Sequence, residues 1–244
     1  MPKTGWNERR RALAEARRKR PLARRLLRDW LLPIAVIAVI MAPIRASIVD
    51  WNDVPSGSMR PTILEGDRIF VNKLAYGLRV PLTTSWLARW GVPSRGDIVV
   101  FASPTGGTRL VKRVVGLPGD RVRLAGNVLY INDVAAGAEP GAHAVRLAGS
   151  PVPVVLAHET IGDVEHQIAL TPALAALGAD FAEVTVPGDA CFVLGDNRDQ
   201  SSDSRFIGFV PLASVYGQAT HVALSLDYSR LGRPRWERFF AAMR

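Results

Sequence analysis

One apolar stretch divides this chain of 244 residues into unequal parts. Trp30-Leu31-Leu32-Pro33-Ile34-Ala35-Val36-Ile37-Ala38-Val39-Ile40-Met41-Ala42-Pro43-Ile44 runs for fifteen residues without a charge. A helix needs ~20 apolar residues to cross a hydrocarbon core. Arg45 stands near the far end, where its charged head can snorkel to the interface, and counting on to Val49 gives twenty. The stretch predicts one N-terminal transmembrane α-helix over 29–49. A cleaved signal peptide is the competing reading, since a basic region precedes a short apolar core. The length of the basic arm and the prolines that bracket the core favour a retained anchor.

The formal net charge is +9, which raises the question of nucleic acid. Its placement answers that question. Residues 1–28 hold eleven basic and two acidic residues; the remainder holds twenty of each. A nucleic-acid-binding domain would carry a basic patch of its own, so no nucleic-acid partner is expected. The arm instead sets an orientation, with the N-terminus in the cytoplasm and residues after about 50 outside. That orientation reads as a single-pass membrane protein, with membrane lipid as a partner. The one cysteine, Cys191, lies in an apolar run and reads as buried and structural.

Past the apolar stretch the pattern is that of strands. Arg68-Ile69-Phe70-Val71, Ile98-Val99-Val100-Phe101 and residues 109–115 read as strands. Residues 122–131 read as a hairpin turning at Ala125-Gly126-Asn127, and strands return over 182–186, 191–194 and 221–226. Residues 133–180 are richer in Ala, Gly and Pro and read as an insertion, with a short helical turn over 171–177. The expected fold is mostly β: an antiparallel β-domain over 50–132 and 181–230, an inserted β-rich subdomain over 133–180, and the anchor in front. Residues 231–244 read as an amphipathic tail, a helix carrying Trp236, Phe239 and Phe240.

The loop Pro55-Ser56-Gly57-Ser58-Met59-Arg60-Pro61-Thr62 is stiffened by two prolines and follows the anchor directly. It can hold a hydroxyl in a fixed place, or it is a linker turn. A serine attacks only if a base takes its proton. His143, His158, His166 and His221 sit in no motif, and no cluster has metal-ligand spacing, so neither a triad, a metal nor a cofactor is expected. A neutral lysine can serve as the base, and burial favours the neutral form. Of four lysines only Lys73 and Lys112 lie beyond the arm. Alternation puts Lys112 on one strand face with Leu110 and Val114, and points Arg113 the other way, toward solvent. Lys73 precedes a loop-like segment and reads as exposed. The polar run Gly195-Asp196-Asn197-Arg198-Asp199-Gln200-Ser201-Ser202-Asp203-Ser204-Arg205 follows an apolar strand. Its two arginines and its lack of a bidentate glutamate argue against calcium.

These stretches, in this order after an anchor, resemble the bacterial type I signal peptidases, membrane-bound serine endopeptidases that use a Ser-Lys dyad. Residues 55–62 look like the family's nucleophile box. Arg95-Gly96-Asp97-Ile98-Val99-Val100-Phe101 resembles the strand that lines its substrate groove. Residues 112–120 resemble the lysine box, and residues 195–205 the final box, continued by Gly208-Phe209-Val210-Pro211. The resemblance implies Ser58 as nucleophile and Lys112 as general base, with Ser56 and the Ser58 backbone N–H forming an oxyanion hole. It implies that Ser201 orients the Lys112 amine and that Asp203 and Arg205 brace the loop. Val54, Pro55, Met59, Ile63, Val99 and Val111 would line shallow substrate pockets. The implied substrates are exported preproteins with A-x-A-type signal peptides, processed near the secretion translocon. Gln200 stands where the family usually has Asn, and the disulfide of some members is impossible with one cysteine. The rival readings are a specialised Ser-Lys peptidase with one substrate and an inactive anchored protein that binds signal peptides.

Overall fold

The computed structural model describes residues 26–47, 49–80, 86–147, 150, 152–174 and 179–243. The chain divides into two units, Met1–Ala46 and Ser47–Arg244. In the first, a π-helical turn Leu27–Leu31 runs directly into helix α1, Leu32–Ser47. Among the described residues no helix is by itself long and apolar enough to cross a membrane. Residues 27–47 are helical in these two parts, which overlap most of the expected span over 29–49 without forming one long apolar helix. Residues 1–25 of the basic arm lie outside the described residues.

The second unit is built from antiparallel strands, in chain order β1 (Val49–Asp53), β2 (Asp67–Asn72), β3 (Gly77–Arg79), β4 (Trp86–Arg89), β5 (Ile98–Ala102) and β6 (Arg109–Gly116). Then come β7 (Arg121–Ala125), β8 (Val128–Ile131), β9 (Val134–Ala135), β10 (Ala138–Val145), β11 (Val154–Ile161) and β12 (Val164–Leu170). The chain closes with β13 (Phe181–Thr185), β14 (Ala190–Leu194), the one-turn helix α2 (Ser204–Ile207), β15 (Val210–Pro211), β16 (Val215–Asp227) and β17 (Arg233–Pro234). The main sheet runs β1-β2-β16-β5-β6-β14-β15, with β17 added to β16.

The long strand β16 explains how this sheet curls. It pairs with β5 at one end and with β2 at the other, and its register slips at three places. Each slip leaves a residue unpaired, bending the strand and increasing its twist. Gly217 sits at one slip, where a Cβ would lie 2.6 Å from the Asn72 carbonyl oxygen. The curl brings β1, at one edge of the sheet, opposite β6: Arg109 Nη1 of β6 donates to Asn52 Oδ1 of β1 at 2.6 Å.

The hairpin at residues 122–131 forms as expected, with Gly126 and Asn127 both at positive φ in a two-residue turn. This matches the turn type that follows the twist of paired strands. The insertion is more regular than its composition implies: β10, β11 and β12 form a three-stranded antiparallel sheet. Its alternation was blurred because buried Glu159 and His166 occupy inward positions that usually hold apolar residues. Of the helical turn expected over 171–177, Pro172–Leu174 forms a 3₁₀ turn, and the rest lies outside the described residues.

The C-terminal tail is not an amphipathic helix. It forms β17 and a 3₁₀ turn, Trp236–Arg238, and pairs back onto β16 through Phe240 N–H to the Val222 carbonyl. Arg238 explains the change, because its guanidinium bonds Asp67 Oδ2 at 2.6 Å and the Thr62 carbonyl at 3.0 Å. A buried carboxylate that captures the tail outweighs the weak helical preference of so short a segment.

Candidate active site

Ser58 sits in the 3₁₀ turn Gly57–Met59, which links β1 to β2. Met59 anchors that turn in a core cluster with Val54, Ile63, Ile69 and Val71. The turn cannot drift without pulling Met59, only 1% exposed, out of that cluster. Lys112 projects from the middle of β6, where Val99 of β5 is its register partner. The two side chains meet: Lys112 Nζ lies 2.7 Å from Ser58 Oγ, and it also donates to the Val111 carbonyl at 3.0 Å. Both residues are buried, and burial lowers the Lys112 pKa from 10.5 to about 8. The charges of Asp203 and Asp196 oppose this shift and offset it only in part.

The loop after β14 holds the Ser58 turn in place. Asn197 N–H donates to the Ser58 carbonyl at 3.0 Å, and its side-chain amide donates to the Gly57 carbonyl at 3.0 Å. Asp196 accepts from Thr62 Oγ1 at 2.5 Å and takes both Nε and Nη2 of Arg113 at 2.8 Å each. Burial alone would raise the Asp196 pKa, but the Arg113 guanidinium overcomes this and holds it below the ordinary value. Arg113 therefore does not reach solvent, as alternation suggested. Its strand is buried on both faces from Lys112 onward, and Arg113 is only 1% exposed.

Asp203 and Arg205 form the expected ion pair, with Arg205 Nε and Nη2 each 2.9 Å from a carboxylate oxygen. Asp203 also accepts the Gly195 N–H at 3.0 Å. Gly195 is required by space. A Cβ there would stand 2.2 Å from Ser201 Oγ and 2.5 Å from the Ser58 carbonyl oxygen. Ser201 is buried in this loop, but the expected hydrogen bond to Lys112 is not made, and among the described residues its Oγ has no hydrogen-bond partner.

Ser58 and Lys112 open onto a cleft of about 300 Å³ lined by residues 52–56 on one side and 108–111 on the other. Val54, Pro55, Met59 and Val111 line it, as does Ser56. Ile63 and Val99 do not. Both are fully buried in core clusters, because the small, β-branched character that suits a pocket wall suits a core equally. Lys73 is not exposed as expected but half-buried in an ion pair with Asp50 at 3.1 Å. Of the histidines, His166 is buried with Nε2 3.3 Å from Glu159, while His143, His158 and His221 are exposed. None contacts Ser58. Among the described residues no group of side chains has the makings of a metal site.

A family model described as signal peptidase, peptidase S26, matches residues 27–224. The chain belongs to the signal peptidase family. A signal peptidase I from Pseudomonas aeruginosa is 37% identical over 210 residues, covering 79% of this chain and 70% of the relative. One from Pseudomonas fluorescens is 36% identical over 216 residues, covering 82% and 72%. One from Rickettsia bellii is 36% identical over 208 residues, covering 78% and 71%. The chain is thus a signal-peptide-cleaving peptidase, a serine hydrolase whose substrates are exported preproteins. Asp196, Asn197 and Thr62 stood within the quoted boxes with no role assigned. A run of polar residues cannot show which of them turn inward. The density of hydrogen-bonding groups beside an apolar strand was the signal available.

Proposed function

We propose that this signal peptidase works through a Ser58–Lys112 dyad while anchored in the bacterial cytoplasmic membrane. The observation that carries the reading is the 2.7 Å contact between Ser58 Oγ and a buried amine whose pKa is about 8. Near that pH about half of the amine is neutral, and its lone pair can accept the serine proton. As the Ser58 proton passes to Lys112 Nζ, Oγ bonds the scissile carbonyl carbon. The tetrahedral intermediate collapses, the C–N bond breaks, and the Lys112 ammonium returns the proton to the leaving amine. Water, deprotonated by the same lysine, then attacks the ester and frees Ser58.

The oxyanion would be held by the Ser58 N–H and the Ser56 hydroxyl, which borders the same cleft. Such donors contribute on the order of 3 kcal/mol each. Ser201 would take up the Lys112 amine once substrate binds, since its hydroxyl is uncommitted. Asp203 and Arg205 would keep that loop in place. An extended preprotein would pair along β6, and the small hollows beside Val54, Pro55, Met59 and Val111 suit the alanines of an A-x-A site.

The anchor is 29–49. Its support is the apolar helix surface: Trp30, Leu31, Ile34, Ile37 and Val39 are each more than half exposed. Full burial of such side chains in lipid is worth about 1.5–3 kcal/mol apiece. The basic arm sets the N-terminus inside, and sharing a membrane and proximity to the translocon would raise the effective concentration of preprotein. Incubating the detergent-solubilised chain with a preprotein bearing an A-x-A site tests the reading. Wild type should release the signal peptide and Ser58→Ala should not. Cleavage that survives in Ser58→Ala would move the nucleophile elsewhere, and binding without cleavage by wild type would make the chain an inactive receptor.

A further inference from the structure

The cleft ends in a charged crossbar that the dyad does not use. β5 pairs with β6 across residues 109–113, whereas β14 pairs with β6 only from Arg113 onward. Among the described residues, the stretch 109–112 of β6 therefore has an edge that no strand occupies, and it faces the cleft. At the far end of that stretch Arg109 reaches across to the opposite wall. Its Nη1 donates to Asn52 Oδ1 at 2.6 Å and lies 3.8 Å from Asp50 Oδ2, while its guanidinium carbon sits 5.0 Å from the centre of the Tyr216 ring.

The charges at this end do not cancel. Asp50 is already paired with Lys73 at 3.1 Å, and Asp53 with Arg68, so Arg109 supplies an excess positive charge. The guanidinium is half exposed and can accept another partner. A strand advances about 3.3 Å per residue, so a peptide paired with this edge rises about 10 Å between Lys112 and Arg109. With its scissile carbonyl at Ser58, the residue reaching the crossbar is the fourth before the cleaved bond.

We propose that Arg109 is a specificity-determining residue that selects an acidic side chain at the fourth position before the scissile bond and disfavours a basic one. The inference rests on the peptidase reading above, with the signal-peptide side of the substrate in the cleft. A carboxylate there would complete a bidentate pair with the guanidinium, whereas a lysine would meet an unmatched cation.

The test uses the detergent-solubilised full chain and fluorogenic peptides that end in Ala-x-Ala before the scissile bond, with Glu, Gln or Lys placed at the fourth, fifth or sixth position. Wild type should cleave the Glu peptide roughly fivefold better than the Lys peptide in kcat/KM, with the contrast greatest at the fourth position. A fivefold ratio is the range of one half-exposed ion pair. High salt should shrink the ratio. Arg109→Gln should abolish it, Arg109→Lys should keep most of it, and Arg109→Glu should reverse it toward Lys. A variant whose structure had merely loosened would lose rate on all the peptides together. Equal cleavage of the Glu and Lys peptides by wild type overturns the assignment and leaves the peptidase reading intact. A preference centred on another position overturns the register, and a ratio unmoved in Arg109→Glu assigns the selection to other residues. If wild type cleaves none of these peptides, the reading beneath fails as well.

Discussion

Lys112 and Arg113 are neighbours on one strand, both almost fully buried, and the fold treats them in opposite ways. On the inner side of β6, Arg113 receives a bidentate carboxylate from Asp196 and the Gly96 carbonyl. On the cleft side, Lys112 receives a serine hydroxyl and one carbonyl, and the carboxylates of Asp196 and Asp203 act on it only through space. The difference follows from the chemistry of the two cations. A guanidinium cannot shed its proton, so a buried one needs a paired anion. An amine can shed its proton, so burial without a partner turns it into a base. On the proposed dyad reading one side of the strand is a strut and the other a reagent, and the placement of a single carboxylate decides which is which.

Exchanging the two cations is the most severe way to break this contrast. Lys112→Arg puts a permanent charge where no carboxylate waits and removes the proposed base from Ser58. Preprotein cleavage should fall by roughly 10³-fold or more, the range expected when a general base is lost. Measured kcat/KM beside an unchanged circular dichroism spectrum checks this. Turnover near the wild-type rate in Lys112→Arg would make the amine a bystander.

The strut side breaks differently. Asp196→Asn leaves Arg113 charged and buried without its partner, which should cost about 3–5 kcal/mol of stability. A denaturant titration of the detergent-solubilised chain reads that loss. Activity should fall too, because Asp196 also holds Thr62 of the Ser58 loop. Changing Arg113 to Met in the same chain should restore part of the stability, since the two residues share one interaction and their losses do not add. An Asp196→Asn variant as stable as wild type would mean the pair contributes little and Ser58 is held by Asn197 alone.

This contrast also separates what the sequence could show from what it could not. Lys112 was legible because alternation set it among apolar side chains and because only two lysines lay beyond the arm. Arg113 was misread by the same rule: alternation assumes one dry and one wet face, and residues 112–116 of β6 have no wet face. Strand positions read well where apolar runs ended at Gly or Pro. The insertion was expected to be β-rich and is, but its individual strands were not legible, because Glu159 and His166 are buried beside Arg198 of the final loop and make inward positions look polar. The final loop was visible as a polar run, but which of its members turn toward Ser58 depends on a meeting of segments some 140 residues apart. No local pattern records such a meeting.

The mildest intervention removes the Lys112 amine and keeps its volume. Lys112 has its pKa lowered in the folded chain, from 10.5 to about 8. Between those values the unfolded chain binds the extra proton, so stability should rise with pH across that window. A shift of this size corresponds to ~3 kcal/mol, a cost imposed on the fold below pH 8 and relieved as the pH approaches 10.5. Lys112→Met should therefore be more stable than wild type at pH 7, by up to ~3 kcal/mol less whatever packing is lost. It should also lack the slope above pH 8. The same proton should appear in the kinetics of wild type, where kcat/KM should climb about tenfold per unit below pH 8 and level off above it. Denaturant titrations across pH 7–10.5 and a pH–rate profile thus report one group by two routes. A kinetic limb near pH 6.5, the ordinary range of histidine, would transfer the base to an imidazole. A stability slope that persisted in Lys112→Met would transfer the buried proton to another side chain.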